Sequence, residues 1–132
     1  MLDSNLFVAA LLNSEACRSV LTKWREGAFE VVTSTSLLRE LQCTLERPKF
    51  SKRISQDDIK ELLAFIKATA VIVHPLKLRR RICRDPSDEK VFACALSVGA
   101  MVISGDADVL MAESPGVRVM PPRAFLSWLE RS

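Results

Sequence analysis

Residues 85–108 read DPSDEKVFACALSVGAMVISGDAD, and the fold turns on how this stretch is understood. An acidic turn leads into a helix, a glycine and a short strand, and a second acidic turn follows. Asp85 before Pro86 has the form of a helix N-cap with proline at the first helical position, and Asp88 then falls at the capping-box position. Val91 to Val98 supplies an apolar helix body, Gly99 its stop, and Ala100 to Ile103 a strand. In an α/β sheet, a residue just past the carboxyl end of a buried strand stands where ligand-binding groups collect. Asp106 is expected there. Capping and tight-turn roles also account for these acids taken singly, because Asp serves both.

Beyond Asp108, Val109 to Met111 suggests one helical turn, Ser114-Pro115-Gly116 is a turn signal, and Val117 to Met120 reads as a last strand. Pro121-Pro122 then opens an amphipathic helix whose Phe125, Leu126, Trp128 and Leu129 read as core packing. At the other end, Met1-Leu2 gives the end of a strand and Asp3-Ser4-Asn5 follows at once. A helix is expected from Leu6, broken or re-entered around Asn13-Ser14-Glu15 and continuing to a stop at Gly27. Phe29 to Thr33 is a short strand. One of Ser34, Thr35 or Ser36 caps the next helix, in which Leu37, Leu38, Leu41 and Leu45 form one face and which ends by Pro48. Glu40 and Glu46 flank that stripe about equally, so periodicity does not choose between them. Ser55 caps a further helix with Asp58 at N3 and Ile59, Leu62, Leu63 and Ile66 inward, and Val71 to Val73 is an apolar strand. Short apolar strands alternating with helices predict a three-layer α/β/α fold with a short central parallel sheet, buried on both faces.

The 132 residues suit a single domain, 1–132, with 48% hydrophobic and 27% charged residues, an ordinary globular balance. The formal charge of +3 is mild, but Lys77, Arg79, Arg80, Arg81 and Arg84 crowd the loop before Asp85. Such a loop could hold phosphates through charge and bidentate guanidinium contacts, or serve only as a solvated surface. The apolar run Leu6 to Leu12 is too short to span a bilayer and no basic segment precedes it, so a cytoplasmic protein without a membrane partner is expected.

Cys17, Cys43, Cys83 and Cys94 lack C-x-x-C spacing, and three fall in segments that read as helices, which predicts reduced thiols and neither zinc nor disulfides. His74 is the lone histidine, at a strand end, where a structural role is the usual one. Ser-His-Asp or Cys-His chemistry would have to rest on it, and no nucleophile motif accompanies it. P-loop and dinucleotide-binding glycine motifs are absent as well.

These motifs, in order, carry a resemblance. Asp3-Ser4-Asn5-Leu6-Phe7-Val8 resembles the D-[ST]-N-hydrophobic opening of PIN domains. Leu38-Arg39-Glu40-Leu41 with Arg47-Pro48-Lys49-Phe50 is similar to their second acidic helix. Asp85-Pro86-Ser87-Asp88, one helix, one strand and Ser104-Gly105-Asp106-Ala107-Asp108-Val109-Leu110 complete the likeness, which runs from Leu2 to about Trp128. It is closest to the toxin components of toxin–antitoxin systems, the VapC-type ribonucleases. In two places the chain departs from that pattern: only Met1 and Leu2 precede the first acid, and Ser104 stands where threonine is common.

The resemblance implies a pocket in which Asp3, Glu40, Asp88 and Asp106 are the four catalytic acids and metal ligands, which would also favour Glu40 over Glu46. Ser4, Asn5 and Ser104 match small polar supporting positions, Arg80, Arg81 and Arg84 would meet substrate, and Asp85 and Asp108 would be outer ligands or remain caps. Converging carboxylates repel one another and have raised pKa values unless a cation neutralises them. An all-oxygen set without His or Cys suits Mg²⁺ or Mn²⁺. Such a cation would activate water for in-line attack on a phosphodiester and offset charge on the leaving oxygen. The expected function is therefore a metal-dependent endoribonuclease acting on RNA, the toxin of a toxin–antitoxin pair, with an antitoxin partner and self-association as a homodimer. The alternative is a catalytically impaired PIN-like scaffold that binds RNA or a protein without cutting. A dehalogenase-like phosphotransferase reading of Asp106-Ala107-Asp108-Val109 fails, because that motif opens its domain and here lies near the end.

Overall fold

A computed structural model describes residues 1–12, 14–73, 86–106, 109–110 and 117–131, with the side chains of 86–89 outside the description. His74, the basic loop from Pro75 to Arg84 with Cys83, Asp85, Asp108 and the 114–116 turn all lie outside the described residues. In chain order the elements are α1 (Ser4–Leu12), α2 (Glu15–Arg25), β1 (Val32–Thr33), α3 (Thr35–Glu46), α4 (Pro48–Ser51) and α5 (Gln56–Thr69). Then come β2 (Val71–Ile72), α6 (Pro86–Val98), β3 (Val102–Ile103), β4 (Val119–Met120) and α7 (Pro122–Glu130).

Local chemistry explains most boundaries. The side chains of Ser14, Ser34 and Ser55 accept the backbone N–H three residues on and so start α2, α3 and α5. α2 ends where Gly27 takes a left-handed φ of +83°, letting the N–H groups of Gly27 and Ala28 bond back to Trp24 and Lys23. Gly99, at φ +67°, stops α6 in the same manner, with Ala100 N–H reaching Ala95 O. The first helix differs from expectation: it begins at Ser4, not Leu6, because the Asp3 carboxylate accepts the N–H groups of Asn5 and Leu6 and acts as its cap.

Among the described residues all strand pairing is parallel. β1 pairs β2 with Val32 opposite Val71, and β3 pairs β4 with Val102 opposite Val119. The expected first strand is a single-residue bridge, Leu2 to Ile103, on the other side of β3. Ile103 N–H donates to Met1 O, and Asp3 N–H donates back to Ile103 O. Because the pairing is parallel, Asp3 and Ser104 leave the sheet at the same, carboxyl-terminal edge.

Consecutive strand residues face opposite sides, and here they enter two different cores. Leu2 and Ile103 pack with Leu6, Val20, Trp24, Leu45, Ile66 and Phe125, under α1, α2, α5 and α7. Met1 and Val102 pack with Val91, Phe92, Cys94, Ala95 and Val109, under α6. Helix α3 serves both, with Leu37 in one core and Leu41 and Leu45 in the other. This is the three-layer α/β/α arrangement. In detail the sheet corrects the expectation: among the described residues it consists of two two-stranded ladders, and Val71 and Ile72 are 45% and 40% exposed, not buried on both faces. Among the described residues β2 pairs with β1 alone. Cys17 and Cys94 are buried free thiols and Cys43 is an exposed one.

Candidate functional site

Asp3 is the anchor of the site. It follows the Leu2 bridge directly and is only 4% exposed. One carboxylate oxygen, Oδ1, accepts the N–H groups of Asn5 at 2.6 Å and Leu6 at 3.2 Å, and Oδ2 accepts the Ser104 hydroxyl. Burial pushes the Asp3 carboxyl above its ordinary value of 3.8; the hydrogen bonds from Ser104, Leu6 and Asn5 oppose that rise, and the negative charge of Asp106 adds to it.

Ser104 is fully buried at the end of β3 and links the two acids: its hydroxyl donates to Asp3, and its oxygen accepts the Asp106 N–H at 3.0 Å. Asn5 closes the ring, its side-chain amide donating to Asp106 Oδ2 at 3.3 Å. Asp3, Ser104, Asn5 and Asp106 are thus one hydrogen-bonded unit built from two strand ends 101 residues apart in sequence.

A cleft of about 630 Å³ opens over this unit, bounded by α1, α3, α4 and α6. Ser4 and Glu40 line it; Glu46, which periodicity left equivalent to Glu40, does not, and accepts Gln42 Nε2 at 3.4 Å on the surface. Glu40 is engaged, with Lys90 Nζ 2.8 Å from its Oε1. The backbone of Asp88 lies in the first turn of α6, but its side chain, like Asp85, Asp108, Arg80, Arg81 and Arg84, lies outside the described residues.

The polar cleft residues that the sequence reading did not assign to the site include Arg39, Cys43, Arg47, Lys49 and Lys90. For Arg39 and Cys43 a signal existed, since they stand four residues apart on α3, which places them on one face of the helix. For Lys90 no local signal existed, because its partner is on another element.

The donor chemistry suits a hard divalent cation. Asp3 and Asp106 are adjacent carboxylates, one of them desolvated, and nearby Asn5 and Ser104 donate hydrogen bonds to them. The positive charge of a cation would offset both the desolvation and the repulsion that push the Asp3 carboxyl up. Among the described residues, however, no three His, Cys, Asp or Glu side chains come close enough to hold a metal as they stand.

Comparison with known proteins gives the family. An uncharacterized protein of Methanocaldococcus jannaschii is 25% identical over 142 aligned residues, covering 99% of this chain and 91% of the relative. No solved structure matches the chain. Among the described residues no helix is long and apolar enough to cross a membrane. The sequence pattern of the PIN domain family matches residues 1–108, which takes in both strand ends and the cleft, and the chain therefore belongs to that family, whose members are generally nucleases that use divalent metal ions.

Proposed function

We propose that the chain is a Mg²⁺- or Mn²⁺-dependent endoribonuclease that hydrolyses RNA phosphodiester bonds in the cytoplasm. The observation that carries this reading is the Asp3–Ser104–Asp106 unit, a buried carboxylate held by three hydrogen bonds beside a second one, at the floor of an open cleft. Asp3 and Asp106 would hold the cation, with Glu40 and Asp88 completing the acidic set. When bound, the cation would supply the positive charge that activates water and offsets charge on the leaving oxygen. The chain's own residues do the rest. Ser104 and the Asn5 and Leu6 amides fix the Asp3 carboxylate, so that it need not reorganise when charge develops. Asn5 orients Asp106. Ser4, at the rim, and Arg80, Arg81 and Arg84 would meet the RNA.

The motif likeness alone supports the more specific role: the toxin of a toxin–antitoxin pair, a homodimer silenced by an antitoxin that covers the cleft. A second reading, a scaffold that binds RNA or protein without cutting, draws support from one contact, the Glu40 carboxylate already paired with Lys90. Calorimetric Mn²⁺ binding at low salt, comparing the intact chain with Asp106→Asn, separates the two. Binding that is lost in the variant supports the nuclease; no binding to either protein overturns it and leaves the scaffold.

A further inference from the structure

Lys90 and Glu40 stand on different helices, α6 and α3, and both line the cleft above Asp3 and Asp106. Their contact is built into the fold. Val91 and Phe92, next to Lys90, are buried, and so are Leu37 and Leu41, on either side of Glu40 along α3; Leu37 and Val91 share one core. With both helices fixed in this way, Lys90 Nζ lies 2.8 Å from Glu40 Oε1, the length of a charge-assisted hydrogen bond. Away from the cleft, the ion pairs Lys23–Glu26 and Arg25–Glu61 are longer, at 3.5 and 3.6 Å.

The acids of the cleft therefore sort into two groups. Asp3 and Asp106 are joined through Ser104 and Asn5, whereas Glu40 is joined to Lys90. Among the described residues Glu40 does not join the other two in a set of three that could hold a metal. The Asp3–Asp106 pair is thus an anchor for one ion. Phosphodiester hydrolysis gains from a second positive charge, because one offsets charge on the attacking oxygen and the other on the leaving oxygen. That second charge is already present as the Lys90 ammonium, a compact cation with three N–H donors, of which the contact with Glu40 takes one. We infer that Lys90 takes the place of a second divalent ion: the cleft binds one ion, at Asp3 and Asp106, and Lys90, held by Glu40, hydrogen-bonds the substrate phosphate. This rests on the proposed nuclease reading and adds to it a count of ions, a phosphate-binding residue and a role for Glu40, that of positioning Lys90. Lys90 acts by charge and hydrogen bonding, so no bond forms to it and no proton leaves it.

The test counts ions. Mn²⁺ is titrated into the chain at low salt and the free ion is followed by electron paramagnetic resonance, for the intact chain, Lys90→Met, Lys90→Arg and the double variant Glu40→Gln/Lys90→Met. The intact chain and Lys90→Arg should bind one ion and Lys90→Met two. The double variant should bind one again, since the second ion of Lys90→Met needs the freed Glu40 carboxylate. A second readout is the calorimetric affinity of adenosine 5′-monophosphate for the chain carrying one equivalent of Mn²⁺. There Lys90→Met should bind about tenfold more weakly than the intact chain, as expected for a lost hydrogen bond to a charged group. The Lys90 side chain is 45% exposed, so these variants should fold. Two ions in the intact chain, one in Lys90→Met, or an unchanged nucleotide affinity in that variant would each overturn the role of Lys90 while the nuclease reading stands. No Mn²⁺ bound to the intact chain would overturn both.

Discussion

Replacing Ser104 by Ala removes one hydroxyl and should lower stability far more than its size suggests. The residue is fully buried, donates to Asp3 Oδ2 and accepts from Asp106 N–H at 3.0 Å. The bond to a buried carboxylate is worth about 1.5–3 kcal/mol, and the partly buried Asp106 N–H left without its acceptor adds up to about 1 kcal/mol, for a total of about 2–4 kcal/mol. At about 2.1 cal/mol/K per residue, a chain of this length has an unfolding entropy near 0.28 kcal/mol/K, so Tm should fall by about 7–14 °C at neutral pH. Thermal unfolding followed by circular dichroism in EDTA measures it, with no cation to compensate. The loss should shrink in acid, once Asp3 is protonated and no anion is left for the hydroxyl to serve. A fall under about 2 °C at neutral pH would refute the claim that Ser104 holds the Asp3 carboxylate.

Asp3→Asn should raise Tm at neutral pH while removing Mn²⁺ binding. The sign follows from burial, which lifts the folded Asp3 carboxyl above 3.8: the stability tied to its proton is complete below 3.8 and is lost as pH rises through the raised folded value. An uncharged amide avoids that loss, so the advantage of the variant should fade as pH falls through the raised folded value and be gone below 3.8; melting curves across acid and neutral pH check it, and a variant less stable at neutral pH would contradict it. Lys90→Met should change stability by no more than about 1 kcal/mol, because the Lys90 and Glu40 side chains are 45% and 28% exposed. It should nonetheless tighten Mn²⁺ binding several-fold by freeing Glu40 and removing a positive charge from the cleft. Unchanged affinity by calorimetry would show that Glu40 takes no part in holding the cation.

What the sequence determined by itself is whatever depends on neighbours along the chain. Ser34 and Ser55 cap helices because the N–H they accept is three residues away. Gly27 and Gly99 end helices because they alone take a left-handed φ easily, and Leu37, Leu41 and Leu45 turn inward because 3.6 residues make a turn. Even Asp3 as a cap was within reach of such reasoning, since its partners are Asn5 and Leu6. The four acids could be ordered from their motifs, but which side chains touch could not. Only the tertiary structure joined Asp3 to Ser104 and Asn5 to Asp106 across 101 residues, separated Glu40 from Glu46, and set Lys90 against Glu40 across 50. It also left Val71 and Ile72 of β2 largely exposed, where an apolar run is no guide to burial. The reason is physical: caps and periodicity are settled within one turn of helix, whereas a parallel pairing such as Leu2 with Ile103 depends on helices packing on both faces of a strand, and no local signal records that.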